Sequence, residues 1–267
     1  MKLSLISTYR SGSLRAAWSS DNIDYGIKGV RSMEHMGTEI GKLYGLGVGP
    51  GDPELMTLKA ARLVRECKMI AIPVTGRETN VAYDIAKGAV PEIVDKEFLE
   101  VSMPMIRDTI KLKESHEAAA DKIILELEKG KNVAFLTLGD PSIYSTYIYI
   151  HDIVVARGYP AEIIPGIPSF CAIAARLNEG LTEAGEALHI IPASYEGVEE
   201  ALALSGTKVL MKTGKSIGKI KTLLSEMDHP PSVKMVERCG MTGERVFTKV
   251  EDLDENASYF SIVVVKD

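Results

Sequence analysis

Cysteine is scarce in this 267-residue sequence: Cys67, Cys171 and Cys239 lie far apart, with no CxxC. Such spacing builds neither a disulfide framework nor a zinc site, and it fits a reducing cytoplasm. The five histidines, His35, His116, His151, His189 and His229, are equally scattered, without an i,i+4 pair or a neighbouring cysteine. No dedicated metal site is expected from them. Long apolar runs are missing too: none approaches the ~18 residues of a membrane span. The opening "MKLSLIST" has one lysine and too short an apolar patch for a secretory signal. Nor is positive charge in excess. A net charge of -6 argues against broad phosphate-tracking contact with nucleic acid. An anionic partner must therefore be met by a local basic pocket.

What is present is ordinary globular composition, 45% hydrophobic and 25% charged, enough for one large or two modest domains. Residues 1–41 are rich in Ser and Gly without a sustained strand or helix period. They are expected to form a flexible leader, with Met33 or Met36 as alternative starts. From Lys42 the pattern becomes regular. "KLYGLGVG" reads as a buried strand, "PELMTLKAARLVREC" as one helix with Leu55, Leu58, Ala61, Leu63 and Val64 inward, and "KMIAIPV" as the next strand. Helices over "NVAYDIAKGAV", "RDTIKLKESHEAAADKIILELEKG" and "SIYSTYIYIHDIVVARG" alternate with strands "EFLEVSM", "NVAFLTLG" and "AEIIP". This β-α repetition predicts a mainly parallel sheet with helices on both faces.

After Pro165 a helix over "SFCAIAARL" leads into strands that crowd together, two of them linked through "CGMTGE". That crowding predicts a second α/β domain with a mixed sheet. The expected division is a leader (1–41), an N-terminal domain (42–164) and a C-terminal domain (165–267), with a small-molecule cleft between the two domains.

The tripeptide Gly-Asp-Pro occurs twice, at Gly51-Asp52-Pro53 and Gly139-Asp140-Pro141, each time between a predicted strand and a predicted helix. Asp is a good N-cap and Pro is favoured at the first helical position, so either copy could be no more than a helix start. Both turns nevertheless open on the carboxyl edge of a parallel sheet, where such sheets bind ligands. The stretch Gly45-Leu46-Gly47-Val48-Gly49-Pro50 lacks the last glycine of a dinucleotide fingerprint, and Gly51-Asp52 stands where a P-loop needs GK[ST]. Acid at a helix start also opposes phosphate. A ligand bearing ammonium, sulfonium or ribose hydroxyls suits such a mouth, and S-adenosylmethionine bears all three.

The stretches "LYGLGVGPGDPELMTLKAARLVRE", "AFLTLGDPSIYSTYIY" and "EIIPGIPSFCAIAA" resemble the tetrapyrrole methyltransferases of cobalamin and sirohaem synthesis over about residues 42–267. "TLGDPSIYSTY" and "PGIPSF" are most similar to the branch acting on C20 of precorrin-2 or cobalt-precorrin-2. The resemblance implies two α/β domains, a homodimer in the cytoplasm, and S-adenosylmethionine held between the domains, with neither nucleic acid nor membrane as partner. It maps cofactor contacts onto Pro50, Gly139, Asp140, Ile143, Pro168, Ser169, Met211 or Lys212, Gly240 and Met241. Many relatives carry Thr or Ser where this chain has Pro168, which leaves the polar contact there to Ser169. Met211 reads equally well as ordinary packing in a buried strand.

Methyl transfer from a sulfonium to an electron-rich carbon rests on alignment and exclusion of water, and a proton must leave afterwards. Asp52, Asp140, Tyr144 and His189 are the unranked acceptors, and each also has a structural reading, as a cap, a packed aromatic or a strand histidine. Arg107, Lys111, Lys212, Lys215 and Arg238 are candidate cations for the eight carboxylates of the substrate. Cobalt, where present, would arrive chelated by the substrate. The alternatives are methylation at another tetrapyrrole position (C-11, C-17 or uroporphyrinogen), a diphthine-type methyltransferase, which "TLGDPSIYSTY" disfavours, and a non-catalytic binding module with the same fold.

Overall fold

The computed structural model describes residues 39–75, 80–106, 108–227 and 231–267. The expected leader lies almost wholly outside the described residues, as do Arg107 and His229.

Five strands, β1 (Leu43–Gly47), β2 (Met69–Val74), β3 (Glu97–Ser102), β4 (Val133–Thr137) and β5 (Ala161–Ile164), form a sheet in the order β3-β2-β4-β1-β5. Every pair in it is parallel. Side chains of a strand alternate between faces, and each face of this sheet has its own core. Leu43, Val133 and Phe135 pack against α3 (Thr109–Glu128) and α4 (Tyr147–Ala156). Leu46, Ala134 and Leu136 pack against α1 (Leu58–Glu66) and α2 (Val81–Ala89).

The second sheet contains β6 (Leu188–Pro192), β7 (Thr207–Met211), β8 (Ser232–Glu237), β9 (Arg245–Phe247) and β10 (Ser261–Lys266), in the order β6-β7-β10-β8-β9. Only β6 and β7 are parallel, and the other pairs are antiparallel. One face carries α6 (Val198–Leu202) and α7 (Ile217–Ser225), the other α5 (Ser169–Leu177). The α/β fold with one parallel and one mixed sheet is as expected.

Two expected helices are shorter than their apolar period suggested. "PELMTLKAARLVREC" divides into a single 3-10 turn over Pro53–Leu55 and α1, because Thr57 is extended and its hydroxyl accepts from Ala60 N at 3.2 Å. That second cap makes Leu58 the first helical residue and leaves it 90% exposed, not inward. Likewise α4 begins at Tyr147 and not at Ser142. Tyr144 sits in the left-handed region (φ 48°), which a right-handed helix cannot include.

Candidate functional site

Adjacent strands β1 and β4 send their chains to opposite faces, β1 towards α1 and β4 towards α4. This is a switch point, where the loops diverge and leave a crevice at the carboxyl edge. Gly49 and Gly139 bridge it, with Gly139 N donating to Gly49 O at 2.8 Å and Gly49 N to Gly139 O at 3.3 Å. Gly139 has φ 73°, and among the described residues a Cβ there would meet only Ile167 O at 3.9 Å. Its Cα therefore faces open space in a conformation glycine adopts without penalty. Gly166 is the opposite case. A Cβ on it would lie 2.1 Å from Gly139 O and 2.8 Å from Gly47 Cα, so three backbones meet where no side chain fits. At the end of β4, Thr137 is 6% exposed, and its hydroxyl has no hydrogen-bond partner among the described residues.

The two Gly-Asp-Pro turns use their carboxylates differently. Asp52 is half-buried, and its Oδ1 accepts from Glu54 N at 2.9 Å, capping the 3-10 turn that Pro53 begins. No hydrogen bond or ion pair engages its Oδ2 among the described residues. Asp140 is 9% exposed and fully engaged. Its Oδ1 accepts from Ser142 N (2.8 Å) and Ser142 Oγ (2.5 Å), and its Oδ2 accepts from Gly166 N (2.9 Å). The second turn is thereby tied to the Pro165-Gly166 turn ahead of α5. Pro168, extended at φ -64°, precedes α5 without a side-chain cap, and Ser169 is the first residue of that helix. Ile143 packs against the hydrophobic cluster that contains Phe170 and Ile173 of α5.

The second sheet closes the other side. A Cβ on Gly51 would lie 2.2 Å from Cys239 O, and one on Gly240 (φ 71°) would lie 2.8 Å from Asp52 N. The first glycine turn, with Pro50 buried in it, therefore rests on the Cys239-Gly240-Met241 turn. Glu244 fixes that turn, accepting from Gly240 N at 2.8 Å while pairing with Arg176 of α5. Burial, and after it the Glu244 carboxylate, pushes the Cys239 thiol up to about 11. It is a protonated thiol at neutral pH, not a nucleophile.

Tyr144 donates its hydroxyl to Ile190 O at 2.8 Å, and burial raises its pKa. Lys212, also left-handed at φ 57°, donates Nζ to Tyr144 O at 3.1 Å and lies 5.8 Å over the Tyr144 ring. Met211 ends β7 beside it, packed in the cluster of Ile143 and Phe170.

Asp52, Asp140, Tyr144, Pro50, Gly139, Ile143, Pro168, Ser169, Met211, Lys212, Gly240 and Met241 thus line one set of contacting turns. His189 stands apart. Its Nε2 lies 2.9 Å from Ser205 O, and in the β6–β7 register it pairs with Lys208, three residues before Met211. It is a satisfied strand histidine near the other end of β7. Among the cations, Lys111 pairs with Asp108 at 3.7 Å, Lys215 is exposed on a 3-10 turn, and Arg238 donates Nε to Thr242 O. Sequence reasoning missed Thr137, Gly166, Glu244 and Arg176 as parts of this architecture. Gly166 alone had a signal, its place in "PGIPSF".

These features fit S-adenosylmethionine. An open left-handed glycine allows close approach, the orphaned Thr137 hydroxyl asks for a polar partner, and the uncapped start of α5 offers N–H groups to a carboxylate. No cluster of three or more potential metal ligands occurs among the described residues.

Two α/β sheets meeting at paired glycine turns define the class. The family described as Tetrapyrrole (Corrin/Porphyrin) Methylases matches residues 42–254, and the chain belongs to it. Within it the chain is 34% identical over 230 residues to a protein of Methanocaldococcus jannaschii named "Probable cobalt-precorrin-2 C(20)-methyltransferase", covering 84% of this chain and 96% of that one. It is 28% identical over 237 residues to a Sinorhizobium precorrin-2 C(20)-methyltransferase, covering 86% and 96%. A Thermus thermophilus uroporphyrin-III C-methyltransferase, solved in complex with S-adenosylhomocysteine, shares the fold with a TM-score of 0.63 at 22% identity, covering 85% of this chain and 98% of that one.

Proposed function

We propose that this chain is an S-adenosylmethionine-dependent C-methyltransferase acting at C20 of precorrin-2 or cobalt-precorrin-2 in cobalamin biosynthesis. The observation that carries this reading is the near full-length similarity to the two proteins named for that reaction. Methylation at C-11, C-17 or uroporphyrinogen, and a non-catalytic module, are not favoured by it. Relatives named both with and without cobalt leave the metal state of the substrate to experiment.

S-adenosylmethionine supplies the methyl group from its sulfonium sulfur. In this reading Gly139, Ile143, Ser169, Met211, Gly240 and Met241 hold it, with Pro50 and Pro168 shaping the turns. Asp140 acts as a positioning residue, since both its oxygens already accept hydrogen bonds that set the second turn against Gly166. Alignment of donor and carbon, with water excluded, supplies most of the rate.

The proton released afterwards needs an acceptor with a free lone pair. Tyr144 uses its hydroxyl hydrogen on Ile190 O, and burial disfavours its ionised form. Asp52 has an uncommitted Oδ2 at the crevice, so it is the proposed base. The boundary near Pro165, a homodimeric assembly and a cytoplasmic location belong to the same proposal. No helix among the described residues is long and apolar enough to cross a membrane.

The test is incubation with precorrin-2 and cobalt-precorrin-2 in turn, followed by mass and regiochemistry of the product. One added methyl at C20 is expected, with the faster substrate identifying the metal state. Methylation at any other carbon, or none, would sink the assignment.

A further inference from the structure

Tyr144 and Lys212, two non-glycine residues with left-handed backbones, meet each other in a single contact between the two sheets. Such a backbone costs roughly 1 kcal/mol per residue and persists only where the surroundings hold it. It is held here for a lysine that has only partial compensation. The Lys212 ammonium has the Tyr144 carbonyl at 3.1 Å and the face of the Tyr144 ring at 5.8 Å. No carboxylate lies within ion-pair distance of it among the described residues, and burial lowers its pKa. A half-buried cation with one neutral acceptor retains N–H donors and a charge that want an anion. The contact also joins the two halves, since Ile143 and Met211, which pack against one hydrophobic cluster, immediately precede its two partners.

We propose that the Lys212 ammonium, resting on Tyr144 in the free protein, is the receptor for a carboxylate of a bound ligand. Its Nζ exchanges the Tyr144 carbonyl for the carboxylate while the Tyr144 ring remains beneath it. This rests on the methyltransferase reading, which brings two carboxylate sources into the crevice, the side chains of the tetrapyrrole and the amino-acid end of the methyl donor. The expected source is the tetrapyrrole, because the aromatic face of Tyr144 beside the ammonium suits the edge of a flat macrocycle.

The experiment is calorimetric titration of cobalt-precorrin-2 and, separately, S-adenosylhomocysteine into the wild-type protein, Lys212→Met and Lys212→Arg. Lys212→Met should bind cobalt-precorrin-2 about 10-fold more weakly, with S-adenosylhomocysteine unchanged within about twofold, and its affinity should depend less on salt. Lys212→Arg should recover much of the loss. A loss confined to S-adenosylhomocysteine would support the carboxylate site and assign it to the methyl donor. Equal affinity for both ligands in Lys212→Met would overturn the proposal. Parallel loss of both with a collapsed thermal transition, not rescued by arginine, would also overturn it and make Lys212 a folding contact. A wild-type protein that does not bind cobalt-precorrin-2 refutes the substrate reading separately, and the S-adenosylhomocysteine arm alone then decides the role of Lys212.

Discussion

The two Gly-Asp-Pro turns start from the same three residues and reach opposite ends. In the second, Asp140 is buried, and both its oxygens accept hydrogen bonds that join β4 to the segment ahead of α5. In the first, Asp52 caps a 3-10 turn with one oxygen and leaves the other uncommitted, while its turn rests on Gly240 from the second sheet. A motif at a strand end is thus a backbone shape first. What its carboxylate does depends on how many donors the neighbouring segments bring to it, and Gly166 is the donor the first turn lacks.

The largest effect should come from removing the space that lets the second turn close. Gly166→Ala places a methyl 2.1 Å from Gly139 O, where only backbone can yield. A loss of about 3 kcal/mol or more in urea unfolding is expected, together with loss of S-adenosylhomocysteine binding. Next is Asp140→Asn. The amide keeps one acceptor oxygen and turns a donor towards either Gly166 N or Ser142 N. A cost of about 2 kcal/mol and a clear loss of S-adenosylhomocysteine affinity should follow. Asp52→Ala removes a single cap bond, so its unfolding free energy should fall by only about 1 kcal/mol. If the two aspartates cost the same, the contrast between the turns is wrong.

The smallest effect lies away from both turns. His116 is buried between α3 and α4, stacked on Tyr149 at 5.0 Å, and burial lowers its pKa below the ordinary 6.5. The folded state therefore resists a proton that the unfolded chain accepts. The His116 contribution is intact above about pH 6.5 and declines as pH falls below it. Urea midpoints measured from pH 7.5 to 5 should fall more steeply for the wild-type protein than for His116→Gln, whereas parallel slopes would remove His116 from the account.

Much of this architecture was legible because strand and helix periods are local. The parallel sheet followed from β-α alternation, and the mixed sheet from strands joined by short turns. The failures have local causes too. Leu58 fits the apolar helical period, yet the Thr57 cap makes it the first residue of α1 and leaves it exposed. Ser142 to Thr146 looked helical because nothing in "SIYST" announces the left-handed Tyr144, which is held by contacts with Ile190 and Lys212 far along the chain. The same limit governs the site. A repeated tripeptide was visible, whereas the Glu244–Arg176 pair and the orphaned Thr137 hydroxyl exist only once distant segments meet. His189 is a titratable residue in a strand, and its bond to Ser205 O is a matter of register that its neighbours do not reveal.

The contrast between the turns is tested most directly by the turnover of Asp52→Asn at saturating S-adenosylmethionine and tetrapyrrole. At least a ~100-fold fall in kcat is expected if Asp52 is the proposed base, with S-adenosylhomocysteine affinity unchanged. Turnover within about twofold of the wild-type protein would contradict that role and make Asp52 a helix cap alone.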